Sequence, residues 1–146
     1  MKKILKFALF LLPWFLSSLF MNNVGFYKTL NLPFFAPPTW LFPVAWTILY
    51  ILIAISIYKI SEFGFTDNYK KYLILNYLLN QSFTIFFFNL KSITLGFISC
   101  ILTLLTAYFL YDETKKIDKK TSYLLIPYLA WLVFASLLST FILFMN

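Results

Sequence analysis

Residues 41–58 read LFPVAWTILYILIAISIY, a run of 18 residues with no charged side chain and no alternation of apolar and polar positions. A helix needs about 17–25 such residues to cross the roughly 30 Å hydrocarbon core of a bilayer. Lipid offers the backbone no hydrogen-bond partners, so a spanning segment that lacks strand periodicity has to be a helix. This stretch therefore predicts a transmembrane helix in an all-α membrane protein.

The rest of the 146-residue chain has the same character, because 62% of its residues are hydrophobic, 12% are charged and the mean hydropathy is +0.83. A soluble domain carries about 25% charged residues, and a chain this short cannot bury so much apolar side chain. Five charge-free intervals divide the sequence. We predict one domain, residues 1–146, folded as an integral membrane bundle of five transmembrane helices at about residues 7–21, 39–58, 72–90, 92–111 and 122–144.

The basic residues are all lysines, and they are distributed unevenly between the predicted spans. Lys28 and Lys91 lie on one predicted side of the membrane, and the other ten lysines lie on the opposite side. Short lysine-rich segments stay in the cytoplasm, so we expect a cytoplasmic N-terminus in an integral protein of a bacterial cell membrane. Topology and anionic lipid account for the net charge of +7 without a nucleic-acid partner. Lys2 and Lys3 before an apolar run also resemble a signal peptide, but we expect the first span to be retained.

The first two spans are joined by an irregular stretch, residues 22–38, that is rich in asparagine, glycine and proline. These residues do not continue a helix. Loops of this length are usually functional or disordered, and the aromatic residues among them disfavour disorder. We therefore predict a long, packed loop that acts as a lid. Within the first span, Pro13 predicts a kink.

Composition excludes several kinds of chemistry. The chain has no histidine and one cysteine, so a histidine base and a multi-thiol metal site are impossible, and we expect no metal. All five acidic residues fall in residues 59–71 and 112–120. No acid or base therefore lies within a predicted span, and the usual feature of an ion-coupled transporter is missing.

Polar and aromatic side chains recur at helical spacing in three of the predicted spans. Asn76 and Asn80 share one helical face, which favours either interhelical hydrogen bonds or a polar stripe that faces a ligand. Trp46 and Tyr50 lie one turn apart. Trp131 and Ala135 also share a face, which suits either a packing notch between helices or a slot for a planar ligand. Spacing alone leaves both alternatives open, and Trp14 has no special role assigned to it.

Two motifs resemble those of a known family. Residues 26–40, FYKTLNLPFFAPPTW, and 46–50, WTILY, resemble the signature of the tryptophan-rich sensory protein/translocator protein (TspO/MBR) family, the peripheral benzodiazepine receptor group. That signature is roughly W-Y-x-x-L-x-K-P-x-x-x-P-P followed by W-T-x-L-Y. The match continues at Asn80 with Phe83, and in residues 127–135, PYLAWLVFA, where the family has P-Y-L-x-W-x-x-F-A. The resemblance covers essentially the whole chain.

The resemblance implies a five-helix bundle, often a homodimer, with a pocket beneath the first loop. It implies binding of porphyrins such as protoporphyrin IX and haem, as ligands rather than required cofactors, and of isoquinoline and benzodiazepine-type compounds. The chain would then be a receptor or sensor linked to tetrapyrrole homeostasis and stress response. By motif position the pocket-lining residues would be Tyr27, Pro37, Trp46, Tyr50, Asn80, Phe83, Trp131 and Ala135.

Two other functions stay open. One is a light- and oxygen-dependent enzyme that breaks down porphyrin, in which Trp46 and Trp131 would be the catalytic residues. The other is a tetrapyrrole carrier. The sequence also departs from the family pattern, with Leu32 in place of the lysine before Pro33 and Phe83 in place of the commonest tryptophan. The C-terminal residues lack the basic residue of the proposed cholesterol motif, so we do not expect a sterol to be a partner.

Overall fold

The computed structural model describes residues 1–146, and all of its regular structure is helical. The predicted all-α class is therefore confirmed. In chain order the elements are α1 (Lys2–Leu11), a 3₁₀ turn (Leu12–Phe15), α2 (Leu16–Leu19), a 3₁₀ helix (Val24–Thr29), α3 (Leu41–Phe63), α4 (Asp67–Thr84), a π-helical turn (Ile85–Asn89), α5 (Ile93–Ile117), α6 (Lys119–Ser122), a 3₁₀ turn (Tyr123–Leu125) and α7 (Ile126–Met145).

Three helical segments are long and apolar enough to cross a membrane, namely α3, α5 and the segment Lys119–Met145 that contains α6 and α7. The first helical segment, from α1 to α2, and the helix α4 differ from these three in sequence. Pro13 lies in the 3₁₀ turn that follows α1, where its missing N–H interrupts the α-helical ladder as predicted. The helix α4 begins with Asp67 and buries the amides of Asn76 and Asn80, which lowers its hydropathy.

Short capping motifs join the helices at one end of the molecule. Gly64 follows α3 with a φ of 99°, a conformation that glycine adopts without steric strain. The Thr66 hydroxyl accepts a hydrogen bond from the Tyr69 N–H at the start of α4. Asp118 begins the last helical segment by accepting hydrogen bonds from the N–H and the hydroxyl of Thr121. These hydrogen bonds lower the pKa of the Asp118 carboxyl.

The helices pack around α5, which runs along α4 on one side and along α7 on the other. The helix α1 packs on α3, and α2 packs on α4. The largest core cluster contains Ile53, Tyr69, Leu110 and Tyr128, all of which are fully buried. The helix α3 meets the last helical segment mainly at the turn Tyr123–Leu125. The backbones of α3 and α7 themselves approach closely at few positions, and a groove lies between the two helices.

The loop between α2 and α3 lies at the end opposite to these caps, and asparagine side chains fasten it to two helix ends. The Asn22 N–H donates to Asn89 Oδ1 (2.8 Å), and Asn89 Nδ2 donates to the Phe20 carbonyl oxygen (3.0 Å). Asn146 Oδ1 accepts from the Asn31 N–H, and Asn146 Nδ2 donates to the Asn31 carbonyl oxygen, both at 2.9 Å. This arrangement matches the expectation of a packed loop.

Candidate ligand-binding site

Two tryptophans and a tyrosine form the centre of the candidate site. Trp46 and Tyr50 lie one turn apart on α3, with their ring centroids 5.5 Å apart. Trp131, on α7, meets Trp46 edge to face, with a centroid distance of 6.2 Å and an interplanar angle of 84°. The structure thus brings three of the predicted site residues together. Because the two indoles already touch, they leave no room for a planar ligand between them.

Trp14 joins this cluster from the first helical segment. Its side chain is only 3% exposed, and its ring lies 5.7 Å from that of Tyr50 and 5.2 Å from that of Tyr77. The side chain of Gln81 holds the same segment by donating to the Trp14 carbonyl oxygen (2.9 Å). Trp14 is therefore a core residue that supports Tyr50. Sequence reasoning gave it no role, because it lies outside the motifs and its partners are distant in sequence.

Asn80 connects the aromatic cluster to a buried chain of hydrogen bonds. Its Oδ1 accepts from the Tyr50 hydroxyl (3.1 Å), and its Nδ2 donates to the Tyr128 hydroxyl (3.2 Å). Tyr128 in turn donates to Asn76 Oδ1 (2.8 Å), and Asn76 Nδ2 donates to the Thr103 carbonyl oxygen on α5 (2.9 Å). Both asparagine amides are thus engaged in interhelical hydrogen bonds. A direct contact between Asn80 and a ligand stays a prediction.

Tyr27 and Pro37 belong to the loop, and Tyr27 packs with Phe83 in a second cluster. The Tyr27 hydroxyl donates to the Pro37 carbonyl oxygen (3.0 Å), which closes the loop on itself. Phe83 stacks on Phe87 with a centroid distance of 5.3 Å. Phe87 and Tyr27 are both buried in this cluster. The predicted lining residues therefore fall into two neighbouring groups rather than one ring of side chains.

Phe42 connects the two groups, and it was not among the predicted residues. Its ring lies 5.2 Å from that of Tyr27 and 6.1 Å from that of Trp131. Phe42 precedes Trp46 by four positions, so both project from the same face of α3. This spacing could have identified Phe42 as a site residue from the sequence. In the same way, the family motif that begins with Pro127 and Tyr128 could have identified Tyr128.

A groove of about 590 Å³ runs between α3 and α7 beside the aromatic cluster. It is shallow and open along its length rather than an enclosed cavity. It opens on the outer surface of the bundle, where the Ile48 side chain is exposed. Of the eight predicted lining residues, only Trp131 lies in the wall of this groove. Trp46 adjoins Trp131, and Tyr50 adjoins Trp46, but neither lines the groove. Ala135, one turn further along α7, is half-buried and does not line it either. The lining residues are Leu41, Ala45, Ile48, Leu49, Pro127, Ala130, Trp131 and Phe134.

Comparison with known proteins gives a consistent result. Residues 6–145 match the family model described as the TspO/MBR family. The chain is 34% identical to "Uncharacterized membrane protein YtaB" of Bacillus subtilis, over 100% of this chain and 99% of that protein. It is 39% identical to "Tryptophan-rich protein TspO" of Archaeoglobus fulgidus, over 82% of this chain and 79% of that protein. The protein of the same name from Bacillus cereus is 34% identical, over 84% of this chain and 82% of that protein.

The family model covers almost the whole chain, and the relatives align over most of both sequences. The motifs of the loop, of α3 and of α7 lie within the matched region. The chain therefore belongs to the TspO/MBR family of membrane proteins.

Proposed function

We propose that this membrane protein binds porphyrins, either protoporphyrin IX or haem, at the aromatic cluster and the adjoining groove. It would act as a receptor or sensor linked to tetrapyrrole homeostasis and stress response. The observation that carries the proposal is the groove of about 590 Å³ whose wall includes Trp131, beside the rings of Trp46 and Tyr50. Aromatic faces and apolar walls suit a planar macrocycle.

Family membership supports two further parts of the proposal. We propose that isoquinoline and benzodiazepine-type compounds bind the same site, because they are also planar and apolar. We propose that the protein is a homodimer in the bilayer. A sterol is not among the proposed ligands, since the chain has no lysine after Lys120.

A titration of the purified protein in lipid nanodiscs with protoporphyrin IX tests the main proposal. We expect saturable quenching of tryptophan fluorescence, because a bound porphyrin lies beside Trp46 and Trp131. Excess cholesterol should not displace the porphyrin. Quenching that is not saturable, or that equals the signal expected from porphyrin dissolved in empty nanodiscs, would contradict porphyrin binding.

We propose a topology of five spans with a cytoplasmic N-terminus. The ten lysines predicted to be cytoplasmic lie at the end of the bundle where Lys6 pairs with Glu62 (2.8 Å), and all five acidic residues share this end. The loop end carries only Lys28 and Lys91. A charge difference of this kind between the two ends supports the orientation, because lysine-rich ends stay in the cytoplasm.

Single cysteines at two positions test this topology. In intact cells, an impermeant maleimide should label Lys28→Cys, whereas Lys116→Cys should react only after the membrane is opened. The native Cys100 is buried, so it gives a low background. Labelling of Lys116→Cys from outside intact cells would reverse the proposed orientation.

A second candidate function is light- and oxygen-dependent breakdown of the bound porphyrin. The direct contact between Trp46 and Trp131 favours it, because the electron-rich indole in the groove wall adjoins a second one. Light and oxygen supply the reactivity, so the absence of histidine from the chain does not count against this function.

A further inference from the structure

A second pocket lies at the loop end of the bundle. It is an open surface pocket of about 470 Å³ between the 3₁₀ helix Val24–Thr29 and the turn that leads into α5. It shares no lining residue with the groove between α3 and α7. The lining residues are Asn23, Gly25, Phe26, Thr29 and Lys91.

Lys91 gives this pocket a positive charge without a counterion. All five acidic residues lie at the opposite end of the bundle, and Lys91 takes part in none of the ion pairs of the structure. The other polar side chains of the pocket are paired. Asn23 Nδ2 donates to Asn22 Oδ1 (3.1 Å), and Thr29 Oγ1 donates to the Phe26 carbonyl oxygen (2.6 Å). Lys91 is exposed and supplies the free side-chain donor of the pocket.

The backbone of Lys91 has a conformation that disfavours lysine. Lys91 follows the π-helical turn with a φ of 51°, and the Ser92 N–H bonds across it to the Phe86 carbonyl oxygen (3.0 Å). The left-handed residue after a helix is usually glycine and sometimes asparagine, because a Cβ atom in this region crowds the following carbonyl oxygen. Strained residues of this kind occur mainly at functional sites. The lysine at residue 91 therefore indicates a use for its charge.

Exposed apolar side chains flank the pocket. Val24, Leu90 and Leu95 are all exposed, as expected of side chains that face lipid at the end of a membrane bundle. A lysine near the end of such a surface extends its ammonium to the interface, where the phospholipid headgroups lie. The surroundings of the pocket thus suit an amphiphile with an anionic head.

From these observations we infer that the pocket binds a phosphate group through Lys91, and that this phosphate belongs to an anionic phospholipid in the leaflet at the loop end. Lysine binds phosphate as a point charge, and basic pockets beside membrane helices bind anionic headgroups. The pocket is separate from the aromatic cluster, so the inference does not depend on porphyrin binding.

Thermal unfolding of the full chain in detergent micelles tests the inference, because a ligand of the folded protein raises its unfolding temperature. Unfolding is followed by the reaction of the buried Cys100 with a thiol-reactive dye, with phosphatidylglycerol, phosphatidylcholine or no lipid added. We expect phosphatidylglycerol to stabilise the wild type more than Lys91→Gly. A tenfold loss of affinity lowers the gain by about 4 °C at saturating lipid. The other lysines are present in both proteins, so the difference isolates the pocket.

Without lipid the order should reverse. Lys91→Gly should unfold about 2–4 °C above the wild type, because glycine adopts this φ without strain. A lysine that serves only the fold would not combine higher stability of the variant with a weaker response to lipid. Lys91→Arg keeps the charge and should keep the response. Lys28→Gln is the matched control, because it removes the same charge at the same end of the bundle but outside the pocket.

Three results would overturn the inference. They are an equal response to phosphatidylglycerol in the wild type and Lys91→Gly, an equal loss of response in Lys28→Gln, and a lipid-free Lys91→Gly that unfolds below the wild type. Sodium phosphate, compared with sodium chloride of equal ionic strength, distinguishes the source of the phosphate. A rise that depends on Lys91 with sodium phosphate but not with phosphatidylglycerol, or an equal rise with phosphatidylcholine, would overturn the assignment to an anionic lipid.

Discussion

Phenylalanine in place of Trp46 or Trp131 is expected to weaken protoporphyrin IX binding by about tenfold or less. Phenylalanine keeps most of the apolar area, and aromatic contacts contribute only about 0.5–1.5 kcal/mol beyond area burial. If the protein breaks down porphyrin, the rate of breakdown falls further, by at least about another tenfold, because phenyl is a poorer electron donor than indole and each 1.4 kcal/mol of barrier is tenfold in rate. Fluorescence titration gives the affinity, and product analysis in light and in darkness gives the rate.

The choice of control follows from the structure. Trp14 looks neutral in the sequence, but its ring packs against that of Tyr50, so Trp14→Phe disturbs the site. Trp40 is 65% exposed, and Trp40→Phe should leave both affinity and rate unchanged. Weaker binding in the two site variants, with no product from any sample, would favour a receptor or sensor over an enzyme. Equal effects at Trp40, Trp46 and Trp131 would contradict the site assignment.

Much of the fold was predictable because a bilayer imposes simple constraints. Uncharged stretches of sufficient length have to be helical in lipid, and the apolar runs that contain Trp46, Cys100 and Trp131 lie in α3, α5 and α7. The interruption at Pro13 followed from its missing N–H. The family was also identified correctly from the spaced motifs. The five-span topology stays a prediction, because α1 and α4 are not among the helices whose length and composition indicate a span.

For the site, the sequence could predict only which side chains of one helix lie next to each other, because helical spacing determines these neighbours. The spacing of four between Trp46 and Tyr50, and between Asn76 and Asn80, placed each pair on one face, and the structure shows each pair facing the bundle interior. Spacing could not decide between a ligand contact and an interhelical hydrogen bond at Asn80. That choice depends on Tyr50 and Tyr128, which reach the amide from two other helices.

Contacts between distant segments were beyond sequence reasoning. The asparagines of the loop suggested turns, yet Asn31 pairs with Asn146 and Asn22 pairs with Asn89. The groove lies between α3 and α7, and its position follows from the packing of all the helices rather than from a motif. The close contact at Gly96 could not be predicted either, because in the sequence Gly96 is only one of three scattered glycines.

Gly96 lies in the first turn of α5, where the π-helical turn before it brings Phe87 very close. A Cβ atom on residue 96 would lie 2.9 Å from Phe87 Cδ2 and 3.1 Å from Phe87 Cβ. Phe87 cannot easily move away, because it is buried and its ring contacts those of Phe26 and Phe83. Any side chain at this position therefore pushes against the cluster that supports the loop.

Gly96→Ala is accordingly expected to lower the free energy of unfolding by about 1 kcal/mol, and Gly96→Leu by about 3 kcal/mol, the range found for overpacked interiors. A loss of stability in Gly96→Ala would be informative, because helix propensity alone favours alanine over glycine by about 1 kcal/mol and would raise the free energy of unfolding. Unfolding in detergent can be followed with a thiol-reactive dye, since Cys100 is buried and reacts only when the bundle opens.

Gly25→Ala is the matched control for the Gly96 variants. No atom lies within 4 Å of a Cβ at residue 25, and its φ is not in the region that favours glycine, so this variant should be as stable as the wild type. Wild-type stability in Gly96→Ala and Gly96→Leu would show that α5 and the π-helical turn do not approach as closely as described. Loss of stability at Gly96 alone would instead show that α5 and the π-helical turn approach so closely that no side chain fits between them at the second aromatic cluster of the candidate site.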